Sequence, residues 1–244
     1  MTYGRDHGQA GASVTIKGIL FDKDGTLFDF GTTWNGWAAQ VIADLAGGDG
    51  ALAEGLAGVL RFDPVARRFH PDSPVIAGTN REVAELIATV LTGWRLAALE
   101  ERLTRHAAAA ALAPAVALGP FLRGLAGQGL RLGVMTNDAE AAARAHLAAA
   151  EVAGLFDFIA GFDSGFGAKP APGPLLAFAD AMGLAPETVV MVGDSTHDLQ
   201  AGRAAGMRTV GVLTGMADRA TLAPLADTVL PDIGHLPGWI MAQG

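Results

Sequence analysis

The stretch GILFDKDGTLFDF, Gly18 to Phe30, decides how the rest of the chain is read. An apolar run, Ile19-Leu20-Phe21, leads straight into Asp22-Lys23-Asp24; Gly25-Thr26 then turns the chain, and apolar residues resume. Such a run reads as a buried strand, and a strand that ends in two carboxylates brings like charges together, which is costly unless something compensates. A hard divalent cation is the natural partner, and Mg²⁺ takes oxygen ligands. Gly25 permits backbone geometry that a side chain would forbid, and Thr26 offers a hydroxyl. The plainer alternative is a turn whose aspartate caps a helix. Lys23 is expected to point away from the site, because alternate residues of an extended segment face opposite sides.

Working outward, short apolar runs at Ile16–Phe21, Leu130–Met135, Val189–Val192, Thr209–Leu213 and Thr228–Leu230 read as strands buried on both faces, with Phe156–Ala160 as a shorter one. Helical patterns fill the gaps at Pro120–Ala126, Ala139–Ala150, Pro172–Met182, Thr196–Ala205 and Met216–Leu225. Strand–helix–strand order implies parallel pairing with right-handed crossovers, hence a three-layer α/β core. Between Phe28 and about Ala113 no strand signal is present. Thr32 or Thr33 is positioned to cap a helix through Trp34, Trp37 and Val41 to Leu45. Thr79-Asn80-Arg81-Glu82 reads as a capping box before Val83–Leu91, and Leu96–Leu112 is a third helical run. The expected division is a core of residues 14–28 and 114–244, a helical insert of residues 29–113, and a flexible tail of residues 1–13.

Three more stretches carry chemistry. RLGVMTND ends a strand in Thr136-Asn137, where a hydroxyl and a backbone N–H can hold a phosphate oxygen, although Thr-Asn is also a routine helix cap. GFGAKPAPGP sets Lys169, the only lysine beyond position 23, in a loop stiffened by glycines and prolines; its ammonium can neutralise a carboxylate or a phosphoryl group, although a solvated loop lysine reads the same way. VVMVGDSTHDLQ ends a strand at Asp194 and starts a helix carrying Asp198. Asp194 can ligate a metal, Asp198 can orient that ligand or Lys169, and the helix N-terminus favours an anion. All four stretches fall at strand C-termini or in adjoining loops, which share one edge of a parallel sheet, the edge where such sheets bind ligands.

Bulk properties narrow the function. A formal net charge of −8 over 244 residues argues against a nucleic-acid or acidic-membrane binder, which needs a basic face. With no cysteine there is no thiol nucleophile and no zinc–thiolate site. No apolar run approaches the roughly 20 residues that span a bilayer. The expectation is a cytoplasmic protein acting on a small molecule, as a monomer or homodimer.

Asp-x-Asp-Gly-Thr at Asp22–Thr26, then Thr136, Lys169 and Gly-Asp-x-x-x-Asp at Gly193–Asp198 resemble the haloacid-dehalogenase-like (HAD) phosphohydrolases. AKPAPGPLL and ADTVLPDI look most like the phosphoglycolate-phosphatase-like branch. The resemblance implies a Rossmann-like three-layer core with an inserted helical cap, Mg²⁺ as cofactor and a small phosphorylated metabolite as substrate, with 2-phosphoglycolate the leading candidate. It implies Asp22 as nucleophile and Asp24 as proton donor and acceptor. Metal would be held by Asp22, Asp194 and the Asp24 backbone carbonyl; phosphate by Thr136, Asn137 and Lys169; Asp198 would sit behind them.

Rival readings differ at particular residues. Dehalogenases of the family lack the second aspartate, present here as Asp24. Phosphonoacetaldehyde hydrolases use a cap lysine, and residues 29–113 contain none. A phosphosugar mutase with the same residue pair remains the enzymatic alternative, and a binding or regulatory protein that kept the fold the non-enzymatic one. Substrate choice is expected to lie in the insert, with Trp34, Arg68 and Thr79 as candidates beside Asn35, Trp37, Arg61, Arg67, His70 and Arg81. Each has a structural counter-reading: the tryptophans as cap core, Arg67-Arg68 as a solvated face, His70 as a loop residue. His197 is expected to face solvent, and Asp138 and Asp163 to be loop or capping residues. Ser73–Asn80 is expected to face the site. Phe30 stands where related phosphatases often carry a small polar residue, a departure that bears on substrate.

Overall fold

The computed structural model describes residues 15–243; the expected N-terminal tail lies outside them. From β1 (Gly18–Phe21) the chain enters α1 (Phe30–Ala46) and α2 (Gly50–Leu60). A short hairpin follows, β2 (Phe62–Asp63) and β3 (Arg68–Phe69), then α3 (Asn80–Ala88), α4 (Leu96–Ala108) and α5 (Leu118–Ala126). The remainder alternates: β4 (Arg131–Met135), α6 (Glu140–Ala149), β5 (Phe158–Ala160), α7 (Gly173–Met182), β6 (Val189–Gly193), α8 (Thr196–Ala204), β7 (Arg208–Val212), α9 (Arg219–Leu222), β8 (Thr228–Leu230) and α10 (Leu236–Met241).

Six strands form one parallel sheet in the order β5-β4-β1-β6-β7-β8, with β1 in the middle and Phe21 in register with Val134 and Val192. The period of two sorts the strand side chains onto two faces. Ile19, Phe21, Leu132, Val134, Val190 and Val192 pack with Leu118, Leu122 and Leu125 of α5, while Leu20, Met135, Val189 and Met191 pack with Leu175 and Phe178 of α7. Both faces being covered explains why the runs show no polar alternation. The fold is therefore a Rossmann-like three-layer α/β core with an inserted helical cap.

The cap has its own apolar cluster, built from Trp34, Trp37, Val41, Leu56, Leu60, Val83, Ile87, Leu99 and Leu103, with Ala142 of α6 joining it from the core. Where the chain leaves and re-enters the core, its two passes are stitched together: Asp29 N–H donates to Ala113 O (2.8 Å) and Ala115 N–H to Leu27 O (2.9 Å). Three expectations are corrected here. The cap of α1 is Asp29, which accepts from Thr32 N–H at 2.7 Å, rather than Thr32 or Thr33. Helix α2 was not anticipated, because GALAEGLAGVL carries two interior glycines that mask its helical pattern. Nor was the β2–β3 hairpin, whose two-residue strands are too short to show a period. The capping box at Thr79 and Glu82 is present as expected.

Candidate active site

The central position of β1 sets the site. Asp22 follows its last residue, and its N–H donates to Val192 O (2.8 Å), tying it to the end of β6. Thr136 follows β4 and Asp194 follows β6, so three sequence-distant groups emerge on one edge. Lys169 reaches them from the β5–α7 loop. Its Nζ donates to Asp22 Oδ1 (2.6 Å), Asp198 Oδ1 (2.6 Å) and Met135 O (2.9 Å), which uses all three ammonium hydrogens. Asn137 fixes the lysine's backbone, accepting from Lys169 N–H (3.0 Å) and donating to Lys169 O (2.9 Å). Thr136 Oγ1 accepts from Asp138 N–H (3.1 Å). Neither Thr136 nor Asn137 caps α6: the first N–H of that helix bonds to Asp163 Oδ1 at 2.8 Å. Ser195 caps α8, and Asp198 completes that capping box through its other oxygen. Helix start and lysine clamp thus share one carboxylate.

Charge is unbalanced. Carboxylate oxygens of Asp22, Asp194 and Asp198 lie within 4.8 Å of one another, all buried. Burial pushes the Asp22 carboxyl up to about 7, the attraction of Lys169 offsetting only part of that. Burial, then the neighbouring charges of Asp22 and Asp198, raise Asp194 well above the usual carboxylate range. Burial alone would lower Lys169, but Asp198 and Asp22 outweigh it and hold the ammonium above its ordinary value. Three hard oxygen donors around one bound cation fit a further divalent ion such as Mg²⁺, with Asp22 and Asp194 the residues to hold it. Asp198 is less available, since both its oxygens are already engaged.

A second buried node lies alongside. Lys23 does not point away; it is completely buried, 2.7 Å from Asp24 Oδ2 and 3.2 Å from Asp138 Oδ2. Strand β1 ends at Phe21 and the chain bends at Lys23, so the two-fold alternation on which the outward expectation rested does not reach that residue. Its Nζ also donates to His146 Nδ1 (2.8 Å), and His146 Nε2–H donates to Ala107 O (2.6 Å), which fixes the neutral tautomer. Burial, then the Lys23 charge, lower the imidazole's pKa accordingly. Asp24 Oδ1 is buried without a partner and Asp24 lines the cavity over Asp22. Asp138, expected in a loop or capping role, lies in the loop before α6 without capping it; it accepts from Ala139 N–H and is a buried counter-ion of Lys23.

On the cap side the cavity is walled by Phe30, Trp34, Trp37, Val75, Ile76 and Val83, so Ser73–Asn80 does face the site and Trp34 is both cap core and wall. Arg68 is not there; it is exposed on β3 beside a different depression. Thr79 is committed to the capping box. Arg61 pairs with Asp72, and Arg81 with Glu85 and Glu100. His197 lines the cavity instead of facing solvent, its Nδ1 3.2 Å from Ala77 O. Sequence reasoning missed Thr214, which donates to Gly25 O (2.6 Å), and Gly215, where a Cβ would overlap the Asp194 carboxylate. A glycine following Thr in TGMAD offered only a turn signal.

A doubly wound α/β core bearing a lysine-bridged carboxylate cluster under a helical cap is the class these features define. The chain belongs to the haloacid dehalogenase-like hydrolase family, whose model matches residues 16–206. It is 32% identical over 233 residues to a phosphoglycolate phosphatase of Chromobacterium violaceum, covering 91% of this chain and 95% of that one. The match to the Escherichia coli K12 phosphoglycolate phosphatase is 40% over 94 residues and spans only 37% of that relative. Among solved structures, a HAD phosphatase from Thermococcus onnurineus superposes with a TM-score of 0.65 at 24% identity, over 92% of this chain and 98% of the other. Among the described residues, no helix is long and apolar enough to cross a membrane.

Proposed function

We propose that the protein is a Mg²⁺-dependent phosphatase that hydrolyses a small phosphomonoester through an aspartyl phosphate on Asp22. The observation that carries this is the Lys169 clamp: one ammonium joins Asp22 to Asp198 at 2.6 Å each, beside a third buried carboxylate. Family membership and the printed names of the full-length relatives support the same reading.

Bound Mg²⁺ would supply the positive charge that lets a phosphate dianion approach a carboxylate. The chain's own residues do the rest. Lys169 holds Asp22 Oδ1 and stops the carboxylate from swinging, so Oδ2 is free to attack phosphorus. Lys23 holds Asp24 Oδ2, which leaves unpartnered Oδ1 to carry the proton. As the bond from Asp22 to phosphorus forms, the ester P–O bond breaks and Asp24 protonates the departing oxygen. Asp24 then takes a proton from water, whose oxygen attacks phosphorus and releases Asp22 and inorganic phosphate. Thr136 and Lys169 face the transferring group, and residues 29–113 act as the lid that excludes bulk water. Asn137 serves the site through Lys169 rather than by its side-chain amide, which is already bonded.

Phosphate release from a panel of esters with Mg²⁺, with and without chelator, tests this. Asp22→Asn is expected to abolish release; retained turnover in that variant would remove Asp22 from its role. Since the relatives are phosphoglycolate phosphatases, 2-phosphoglycolate is the reference ester.

A further inference from the structure

We infer that the site selects phosphomonoesters whose leaving group is an uncharged alcohol with an apolar face, and discriminates against leaving groups that carry a carboxylate. This rests on the phosphatase reading and concerns the part of the cavity beyond the reacting phosphate.

Three observations converge. First, the cap's contribution to the cavity is apolar and aromatic: Phe30, Trp34, Trp37, Val75, Ile76 and Val83, with Asn80 the polar exception. Among the described residues, no Arg or Lys of the cap lines it. Of the cap's arginines, Arg61 pairs with Asp72, Arg81 with Glu85 and Glu100, Arg102 with Asp44 and Arg105 with Glu101, while Arg67, Arg68 and Arg95 are exposed outside this cavity. Lys169 in the floor is fully subscribed by Asp22, Asp198 and Met135 O.

Second, the adjoining cleft of about 980 Å³, through which a leaving group would depart, is rimmed by Asp72, Glu82, Glu85 and Asp218. Among the described residues its one basic side chain, His197, has Nδ1 turned to the Ala77 carbonyl. Asp72 and Glu85 are neutralised by Arg61 and Arg81, so Glu82 and Asp218 are the rim acids without an ion-pair partner, and a carboxylate entering here would meet them without a counter-ion of its own.

Third, the indole N–H groups of Trp34 and Trp37 are buried, both side chains being more than nine-tenths covered, and neither has a partner. Buried donors are nearly always satisfied, so two together in one cavity wall point to a ligand that supplies acceptors. Any acceptor oxygen on the leaving group would satisfy them, a carboxylate's included, so they call for an acceptor without choosing its charge; that choice rests on the cation-free wall, whose aromatic rings would cover the leaving group's carbon face.

The experiment compares esters matched in size: 2-phosphoglycolate against the phosphate ester of glycolamide, and benzyl phosphate against its para-carboxylate, with p-nitrophenyl phosphate as a general reporter, all with Mg²⁺. The expected result is a kcat/KM at least tenfold higher for the neutral member of each pair. Ile76→Arg, at a partly exposed loop position shared by cavity and cleft, is expected to narrow or invert that ratio by supplying the missing cation. Equal or better turnover of the carboxylates by the unmodified protein would overturn the inference and leave the phosphatase reading standing. Turnover of none of the esters, p-nitrophenyl phosphate included, would overturn both.

Discussion

Replacing Lys23 by Met keeps the length of the side chain and removes its charge. In the structure that ammonium is fully buried and neutralises two carboxylates, Asp24 at 2.7 Å and Asp138 at 3.2 Å. Taking away one member of a buried ion pair typically costs about 3–5 kcal/mol, because the remaining charge is stranded without water. Two are stranded here, and the stability of a domain is about 5–15 kcal/mol in all. Lys23→Met is therefore expected to lose at least about 3 kcal/mol, read as a fall in the urea midpoint at unchanged slope. Adding Asp138→Asn should recover part of the loss. The deficit also has a pH signature. Burial already raises Asp138, with Lys23 pulling the other way, so removing Lys23 raises it further. A carboxyl raised in the folded state penalises folding above that pKa and ceases to do so below its unfolded value near 4, so the deficit should shrink on acidification. A loss below about 1 kcal/mol, or one that does not change with pH, would refute the reasoning.

Other outcomes follow from the same geometry. Because burial sets Asp22 up to about 7 without metal, the proton must leave before a cation binds; the rise in Tm produced by Mg²⁺ should be small at pH 5.5 and grow through pH 8, and a flat profile would contradict it. Asp44 is held well below the usual carboxylate range by hydrogen bonds from Arg102 and His106. A depressed carboxyl stabilises fully above its unfolded pKa and loses that contribution as pH falls through its folded one, so Asp44→Asn should lower Tm at pH 7 and by progressively less as pH falls below about 4. Gly215→Ala would drive a Cβ into the Asp194 carboxylate; the Mg²⁺ concentration for half-maximal phosphate release should rise at least tenfold while far-ultraviolet circular dichroism stays the same.

The core was legible because its strands are buried on both faces and each ends in a polar signal, as Phe21 does at Asp22 and Gly193 at Asp194. Lys169 was marked by scarcity and loop stiffness, but only its place in the ordered set of four stretches separated it from a solvated loop lysine. The cap was legible only where side chains announce a helix start, as Thr79 and Glu82 do. Helix α2 is stabilised by packing Leu56 and Leu60 against its neighbours, which outweighs its glycines, and no local pattern records that. Lys23 was misread for a related reason. Its partners Asp138 and His146 lie more than a hundred residues downstream and arrive only through the β1–β4 pairing. The substrate candidates divided: Trp34 and Trp37 line the cavity, whereas Arg68, conspicuous in the sequence, is exposed on β3 away from it.

Ala77 O accepts from Asn137 Nδ2 at 2.9 Å and lies 3.2 Å from His197 Nδ1, so one carbonyl of the cap is held by two side chains of the core. At about 1 kcal/mol each, these bonds make a latch of about 2 kcal/mol, for which an unlatched population of roughly one molecule in thirty is expected from the polar contacts alone. Asn137 keeps both its bonds to Lys169 whether or not the latch is made. On the proposed function, an ester would enter and its alcohol leave while Asp22 and Lys169 stay set, which would place the cost of each turnover in the cap and spare the sheet edge from being rebuilt.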